Sequence, residues 1–480
     1  MTLSRQSLIN NFASSVMEGD AALFIGAGMS RQSGFVDWKD LLRECGSDLG
    51  LNLDREHDFV NVAQYYLNNR NRDRSRLNQI IKEEFDRHCT LSEKHHILAR
   101  LPISTVWTTN FDCLIERAMQ EAGRTVDIKS RDQDVALHHK GRDVVLYKMH
   151  GDVKRPDEVI ICRDDYEGYA KRHRILQTTL EGDLISKTFL FLGFSFTDPN
   201  LKYVFGHLRS MLFDSKREHY TIIRKARLNW HIKDKKTAEE EFNYQRNKEK
   251  LLINDLQRYS IQTYLIDKFD DIEDILRDIE KSCNRRNVFV SGSAYDFGEL
   301  GEDRIRDLCM SFGEKLVENN YCLISGMGIN IGDSVVKGAL LKLYETNKPV
   351  CEKNICIRPF PRNLGLDISA EDIYQSYRED LLGKAGFAVF ISGNSRSARH
   401  ASRGVMNEYD IARQMNKMPI PIGATGFAAR EIWQEVNRHL PEIYSGLIDP
   451  GLFQKLNDPS LDNKEIVEAA FTIMGKLRNL

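Results

Sequence analysis

Short apolar runs that end on glycine, serine or another small polar residue recur along the chain, and each is followed by apolar positions three and four residues apart. The clearest in the first part are Ala21–Ile25, Thr105–Thr108, residues 143–148 and Thr188–Leu192. A second series starts near Asn287, with residues 287–290, 321–324, 355–359, 386–391 and 419–422. Strand-sized runs alternating with helical periodicity predict parallel α/β sheets with helices on both faces.

The fold expected is therefore two Rossmann-like parallel-sheet domains. After the first run, Trp38, Leu41, Leu42, Cys45 and Leu49 recur at helical spacing, with Asp37 placed as N-cap. Residues 229–258 are dense in charge (KDKKTAEEEF, QRNKEK) and predict a long solvated helix edging the first domain. A strand at Ile261–Ile266 and a helix over 272–282 complete that domain. The polar tetrapeptide 283–286 marks the boundary, giving domains 1–283 and 286–480.

Composition removes several function classes. The 480 residues hold 68 Lys and Arg against 70 Asp and Glu, a formal charge of −2. Nucleic-acid binding by bulk charge needs a concentrated basic surface and is not expected. No apolar run approaches the roughly 20 residues that cross a bilayer, and MTLSRQSLINNFASS lacks the apolar core of a secretory signal. Nine cysteines with no CxxC pair read as reduced thiols. A cytoplasmic protein without membrane, nucleic-acid or metal partners is the expectation.

Candidate chemistry lies at the strand ends, because open parallel sheets bind ligands in the crevice beyond their carboxyl edge. AALFI runs into Gly26-Ala27-Gly28-Met29-Ser30, and STVWTT, whose last residue is Thr109, into Asn110-Phe111-Asp112. DVVLYKM runs into His150-Gly151-Asp152, and TFLFL into Gly193-Phe194-Ser195-Phe196. The Gly-Ala-Gly turn suits backbone amides approaching a pyrophosphate, and equally an ordinary tight turn. Asn110 could cap a helix beginning FDCLIERA or hold a ribose hydroxyl, and Asp112 could cap the same helix or orient the Asn110 loop. His150, between a strand end and Gly-Asp, is poised over the crevice as a catalytic residue. Asp198, before Pro199, reads as a helix N-cap. The adjacent pairs His95-His96 and His138-His139 point apart or lie in a loop and are poor metal ligands.

GAGMS, TTNFD, HGD and GFSF, in this order and spacing, resemble the sirtuin family of NAD-consuming enzymes over about residues 15–265. The resemblance implies NAD across the crevice as substrate, held by Gly26, Ala27, Gly28, Ser30, Thr109, Asp112, Gly193 and Ser195. It further implies Asn110 on the nicotinamide ribose and His150 as general base. The two CxxC pairs of the deacylases' zinc module are absent, so no metal is expected and water becomes the expected nucleophile. Nicotinamide is a cationic leaving group that needs no acid and leaves an oxocarbenium-like ribose. An asparagine and a neutral histidine suit the tasks of orienting that sugar and delivering water.

In the second half, NVFV ends in Ser291-Gly292-Ser293, YCLI in Ser325-Gly326-Met327-Gly328, and AVFI in Ser392-Gly393-Asn394. Together they outline a second nucleotide-shaped crevice. Arg358 and Arg378 are candidate phosphate partners and Glu408 a candidate acceptor for ribose hydroxyls; each reads equally as a solvated surface residue. Residues 286–480 resemble the SLOG superfamily, whose hydrolases carry a PGGxGT signature leading to a catalytic Glu. Here that stretch reads SGNSRSARHASRGVMNE, which favours ligand sensing over hydrolysis. The regulatory pocket expected comprises Ser291, Gly292, Ser293, Gly326, Gly328, Arg378, Gly393 and Glu408.

A sirtuin-like domain without a zinc module followed by a SLOG domain resembles the effector family of Thoeris anti-phage defence. That resemblance implies an NAD glycohydrolase switched on by a cyclic ADP-ribose isomer made by a TIR-domain partner protein. It implies a homotetramer or higher assembly and no cofactor beyond NAD itself. To move such an enzyme from 1:99 to 99:1 active, the ligand must prefer the active state by about 10⁴-fold, roughly 5.5 kcal/mol. A protein deacylase and a non-catalytic nucleotide-binding scaffold are the alternatives.

Overall fold

Seven parallel strands form the first sheet: β1 (Ala21–Ile25), β2 (Thr105–Thr108), β3 (Val126–Lys129), β4 (Val144–Lys148), β5 (Thr188–Leu192), β6 (His219–Arg224) and β7 (Ile261–Ile266). Their spatial order is β3-β4-β2-β1-β5-β6-β7. The computed structural model describes residues 3–212, 217–228, 234–361, 370–395 and 398–478. By its internal contacts the chain divides into two units, Met1–Glu280 and Lys281–Leu480, and each is described by itself.

The central strands β1 and β5 are buried at every position, as expected where helices cover both faces. On one face Phe24, Trp107, Phe189 and Phe191 pack against Leu201, Val204 and Phe205 of the helix Pro199–Leu212. β3 and β6 were not anticipated. Both carry charge or polarity within the run (VDIK, HYTIIR), and Asp127 and Lys129 become tolerable in β3 by pairing with each other at 2.7 Å. The helix expected after β1 is two short ones, Trp38–Leu41 and Arg43–Asp48, with Asp37 capping the first through the Asp40 N–H. Residues 229–233 of the charge-dense stretch lie outside the described residues; Lys235–Gln257 is the long, mostly exposed helix.

The second sheet contains β8 (Asn287–Ser293), β9 (Cys322–Ser325), β10 (Ile355–Ile357), β11 (Phe387–Ser392) and, after a small antiparallel pair β12 (Asn394–Ser395) and β13 (Ala398–Ala401), β14 (Met418–Ile422). The order is β10-β9-β8-β11-β14, all parallel. Arg396 and Ser397, within the SGNSRSARHASRG stretch, lie outside the described residues.

In both sheets the chain runs outward from a central strand to one side and then returns to build the other. The strand order therefore reverses between β1 and β5, and between β8 and β11, which is where a crevice opens at the carboxyl edge. Among the described residues, no helix is long and apolar enough to cross a membrane.

Candidate active site and candidate sensing pocket

The turns after β1 and β5 meet at the first reversal point. Gly26 N–H donates to Leu192 O at 2.9 Å and Gly28 N–H to Gly193 O at 3.0 Å. These two amides are thus engaged by the neighbouring strand end. Gly193 has φ +64°, and a Cβ there would stand 2.6 Å from the Met29 nitrogen. The glycines allow two backbones to touch, as a tight turn packed on the neighbouring strand end requires.

Beneath this contact lies Asn110. Its Nδ2 donates to Gly26 O at 3.2 Å and to Ser30 Oγ at 3.0 Å, while Ser30 Oγ donates to Asp112 Oδ2 at 2.8 Å. Because the serine proton is committed to Asp112, Ser30 and Gly26 can only accept, which fixes the amide's orientation. The Asn110 Oδ1 is left buried with no hydrogen-bond partner among the described residues. The helix of FDCLIERA starts only at Leu114, with Cys113 at the N-cap position, and Asp112, one residue earlier, accepts from Leu114 N through Oδ1 at 3.0 Å.

His150 follows β4. Met149 N–H bonds to Thr108 O, and Val153 N–H to Phe111 O, so the turns after β4 and β2 are laced together. Lys148, fully buried at the end of β4, reinforces this. Its ammonium donates to Phe111 O (3.1 Å), Asp112 O (2.7 Å) and Glu116 Oε1 (2.8 Å), and pairs with Asp152 Oδ2 at 2.9 Å. Burial works to lower the Lys148 pKa, but Glu116 and Asp152 outweigh it and hold the ammonium above its ordinary value. Burial raises the Glu116 carboxyl in spite of Lys148. The chemistry-bearing loops are therefore joined by one buried cation.

His150 itself is nearly buried. Its Nε2 lies 3.2 Å from Asp198 Oδ2 without meeting hydrogen-bond geometry, and its ring meets Tyr166 edge-on at 5.6 Å. Burial pushes the Asp198 carboxyl up, but the adjacent His150 imidazole, the Leu201 N–H and the Tyr166 hydroxyl hold it below the usual carboxylate range.

A cleft of about 1570 Å³ opens above these groups. Ala27, Gly28, Thr109, His150, Gly193 and Ser195 line it, together with Asp198 and Tyr166. Gly26, Ser30, Asn110 and Asp112 do not line it; they form the hydrogen-bonded cluster adjoining Ala27, Gly28 and Thr109. The cleft exceeds the roughly 300–1,000 Å³ of a drug-sized pocket. Lys148, Glu116 and Tyr166 were not singled out from sequence, and Asp152 stood there only as the last residue of the His150-Gly151-Asp152 turn. Of the first three, only Lys148 had a signal: a lysine closing an apolar strand, where nothing in the sequence says it is buried.

Around the second reversal point is a smaller pocket of about 270 Å³. Of the eight residues expected there, Ser291, Gly292, Ser293, Gly326, Gly328, Arg378 and Glu408 line it; Gly393 does not, its N–H bonding to Ser293 O at 2.9 Å. Ser291 Oγ donates to Glu408 Oε2, and burial raises that carboxyl. Arg378 Nε stands 3.6 Å from Glu408 Oε1 and has no hydrogen-bond partner among the described residues, while the guanidinium lies 5.3 Å over the Phe360 ring. Arg358 does not line this pocket; it pairs with Asp380 at the surface.

Two parallel sheets, each with polar side chains converging at its reversal point, define a SIR2-like domain followed by a SLOG domain. A SIR2-like domain matches residues 104–249, and the Sir2- and TIR-associating SLOG family matches residues 271–477. The chain belongs to the family of NAD(+) hydrolase ThsA. It is 36% identical to the NAD(+) hydrolase ThsA of Bacillus cereus (strain MSX-D12) over 475 residues, 98% of each chain. It is also 36% identical to that of Cytobacillus dafuensis over 486 residues, all of this chain and 98% of that one. A more distant relative, Defense-associated sirtuin 2 of Bacillus subtilis, is 23% identical over 221 residues, 45% of this chain and 22% of its own length.

Proposed function

We propose that the chain is an NAD glycohydrolase of bacterial anti-phage defence that cleaves NAD with water to nicotinamide and ADP-ribose. One observation carries this reading. Asn110 and His150 are brought to the same reversal point, the first with a buried carbonyl oxygen lacking a hydrogen-bond partner among the described residues, the second lining the cleft beside a carboxylate. A fixed amide oxygen can hold a ribose hydroxyl and face the positive charge that develops as nicotinamide leaves, and the imidazole can take a proton from the attacking water. The near-full-length relatives named NAD(+) hydrolase support the same bond.

The finer reading extends to control. The Ser291–Glu408–Arg378 pocket binds a cyclic ADP-ribose isomer made by a TIR-domain partner, and binding switches on hydrolysis and depletes cellular NAD. The active form is a homotetramer or a higher assembly, and the reaction uses neither metal nor further cofactor.

The test is nicotinamide release from NAD by the full-length chain, with and without cyclic ADP-ribose isomers. Ligand-dependent release that disappears in both Asn110→Ala and His150→Ala is expected. NAD binding with no release under any condition removes the hydrolase reading.

A further inference from the structure

The acid at the start of the helix Pro199–Leu212 makes two kinds of contact. Asp198 Oδ1 accepts from Leu201 N at 2.9 Å, the N-cap role its sequence context predicts. The cap needs only that oxygen. Oδ2 turns instead toward β4's end, where it lies 3.2 Å from His150 Nε2 and accepts from the Tyr166 hydroxyl at 3.2 Å. The side chains of His150 and Asp198 are 4% and 8% exposed, so water screens their interaction little.

We propose that Asp198 is a positioning residue for the hydrolysis: its Oδ2, 3.2 Å from Nε2 though outside hydrogen-bond geometry, faces the His150 ring and offsets the positive charge that the imidazole gains on accepting a proton. The inference rests on the NAD-hydrolysis reading and names the residue that makes His150 competent in it. In the step, the bond between C1′ of the ribose and the nicotinamide nitrogen breaks, its electron pair going to that nitrogen. The water oxygen bonds to C1′, and the water proton goes to the imidazole. The imidazolium so formed stands beside a carboxylate whose geometry is set in advance by a helix terminus and a tyrosine hydroxyl, so little reorganisation accompanies proton transfer. Tyr166, through its hydroxyl on Oδ2 and its ring edge-on to His150, acts on the same pair from a third element, the helix Arg163–Glu167.

The two roles of Asp198 can be separated, because Asn caps a helix about as well as Asp but carries no charge. For full-length Asp198→Asn, kcat for nicotinamide release should fall about 10- to 100-fold. KM for NAD should stay within roughly twofold and the melting midpoint within about 2 °C. Asp198→Ser, which keeps a capping oxygen but not the reach to His150, should show the same kcat loss. Tyr166→Phe should show a smaller one. An Asp198→Asn variant that retains kcat, or whose loss appears in KM or melting midpoint instead, overturns the proposal. The outcome is separable from failure of the functional reading: a wild type that releases no nicotinamide under any condition overturns that reading and this inference together. An active wild type with an unimpaired Asp198→Asn variant overturns this inference alone.

Discussion

At the scale of single residues, the site depends on polar groups whose partners are decided before any ligand arrives. Asn110 cannot flip, because a carbonyl and a serine with a committed proton both demand its N–H groups. Lys148 is the extreme case: a buried ammonium serving two backbone carbonyls and two carboxylates. Removing it with Lys148→Met strands Glu116 and Asp152 as buried, unpaired acids, and unfolding free energy should drop by about 3–5 kcal/mol. Adding Glu116→Gln should recover part of the loss, since one of the two stranded charges is gone. Urea denaturation of the single and double variants checks both statements. The residue scale is also where reading from sequence succeeds unevenly. His150 is conspicuous between a strand end and Gly-Asp; Lys148, two residues earlier, looks like any lysine at the end of a strand.

At the scale of elements, two buried histidines couple the fold to pH. His219 opens β6 and accepts from Phe189 N of β5 at 3.2 Å, with burial pushing its pKa down to about 3. His95 sits in the capping box of the helix Glu93–Arg100, where burial lowers it to about 4. Both are neutral when folded at neutral pH and take up a proton on unfolding below their ordinary value of 6.5. The unfolded state then binds more protons, so stability is intact above that pH and declines as pH falls from it toward the folded values. Each histidine contributes a slope of up to about 1.4 kcal/mol per pH unit. Chemical denaturation between pH 7 and 5 should show the decline, and His219→Gln should remove about one proton's worth of the slope. The strands that sequence missed, β3 and β6, teach the same lesson. Their apolar runs are interrupted by Asp127 and Lys129, and by His219 and Thr221, and their pairing with covered neighbours overrides a weak local signal.

At the scale of the whole molecule, one chain carries two sheets built to one plan, each reversing its strand order at a pocket. If the second pocket senses a cyclic nucleotide, its charged pair should set the ligand's potency. Arg378→Ala and Glu408→Gln should each raise the cyclic ADP-ribose isomer concentration for half-maximal nicotinamide release by about 10-fold or more, the worth of one charge-assisted hydrogen bond. Unchanged dose–response curves in both variants would remove that pocket as the sensor.

What the sequence alone determined is what depends on local chemistry. Apolar runs ending at small residues specify parallel strands, and the glycine, asparagine and histidine motifs at their ends mark both crevices. Those positions are readable because a parallel α/β sheet puts every strand's carboxyl end on one edge. Only the tertiary structure decided which of these residues line the cleft and which do not, and that Gly26 and Gly28 spend their amides on the neighbouring strand. It alone brought Asp198 to His150 across 48 residues, and set Lys148 between the Asn110 and His150 loops. Such contacts join residues distant in sequence, and their strength comes from burial, which no local pattern of residue types records.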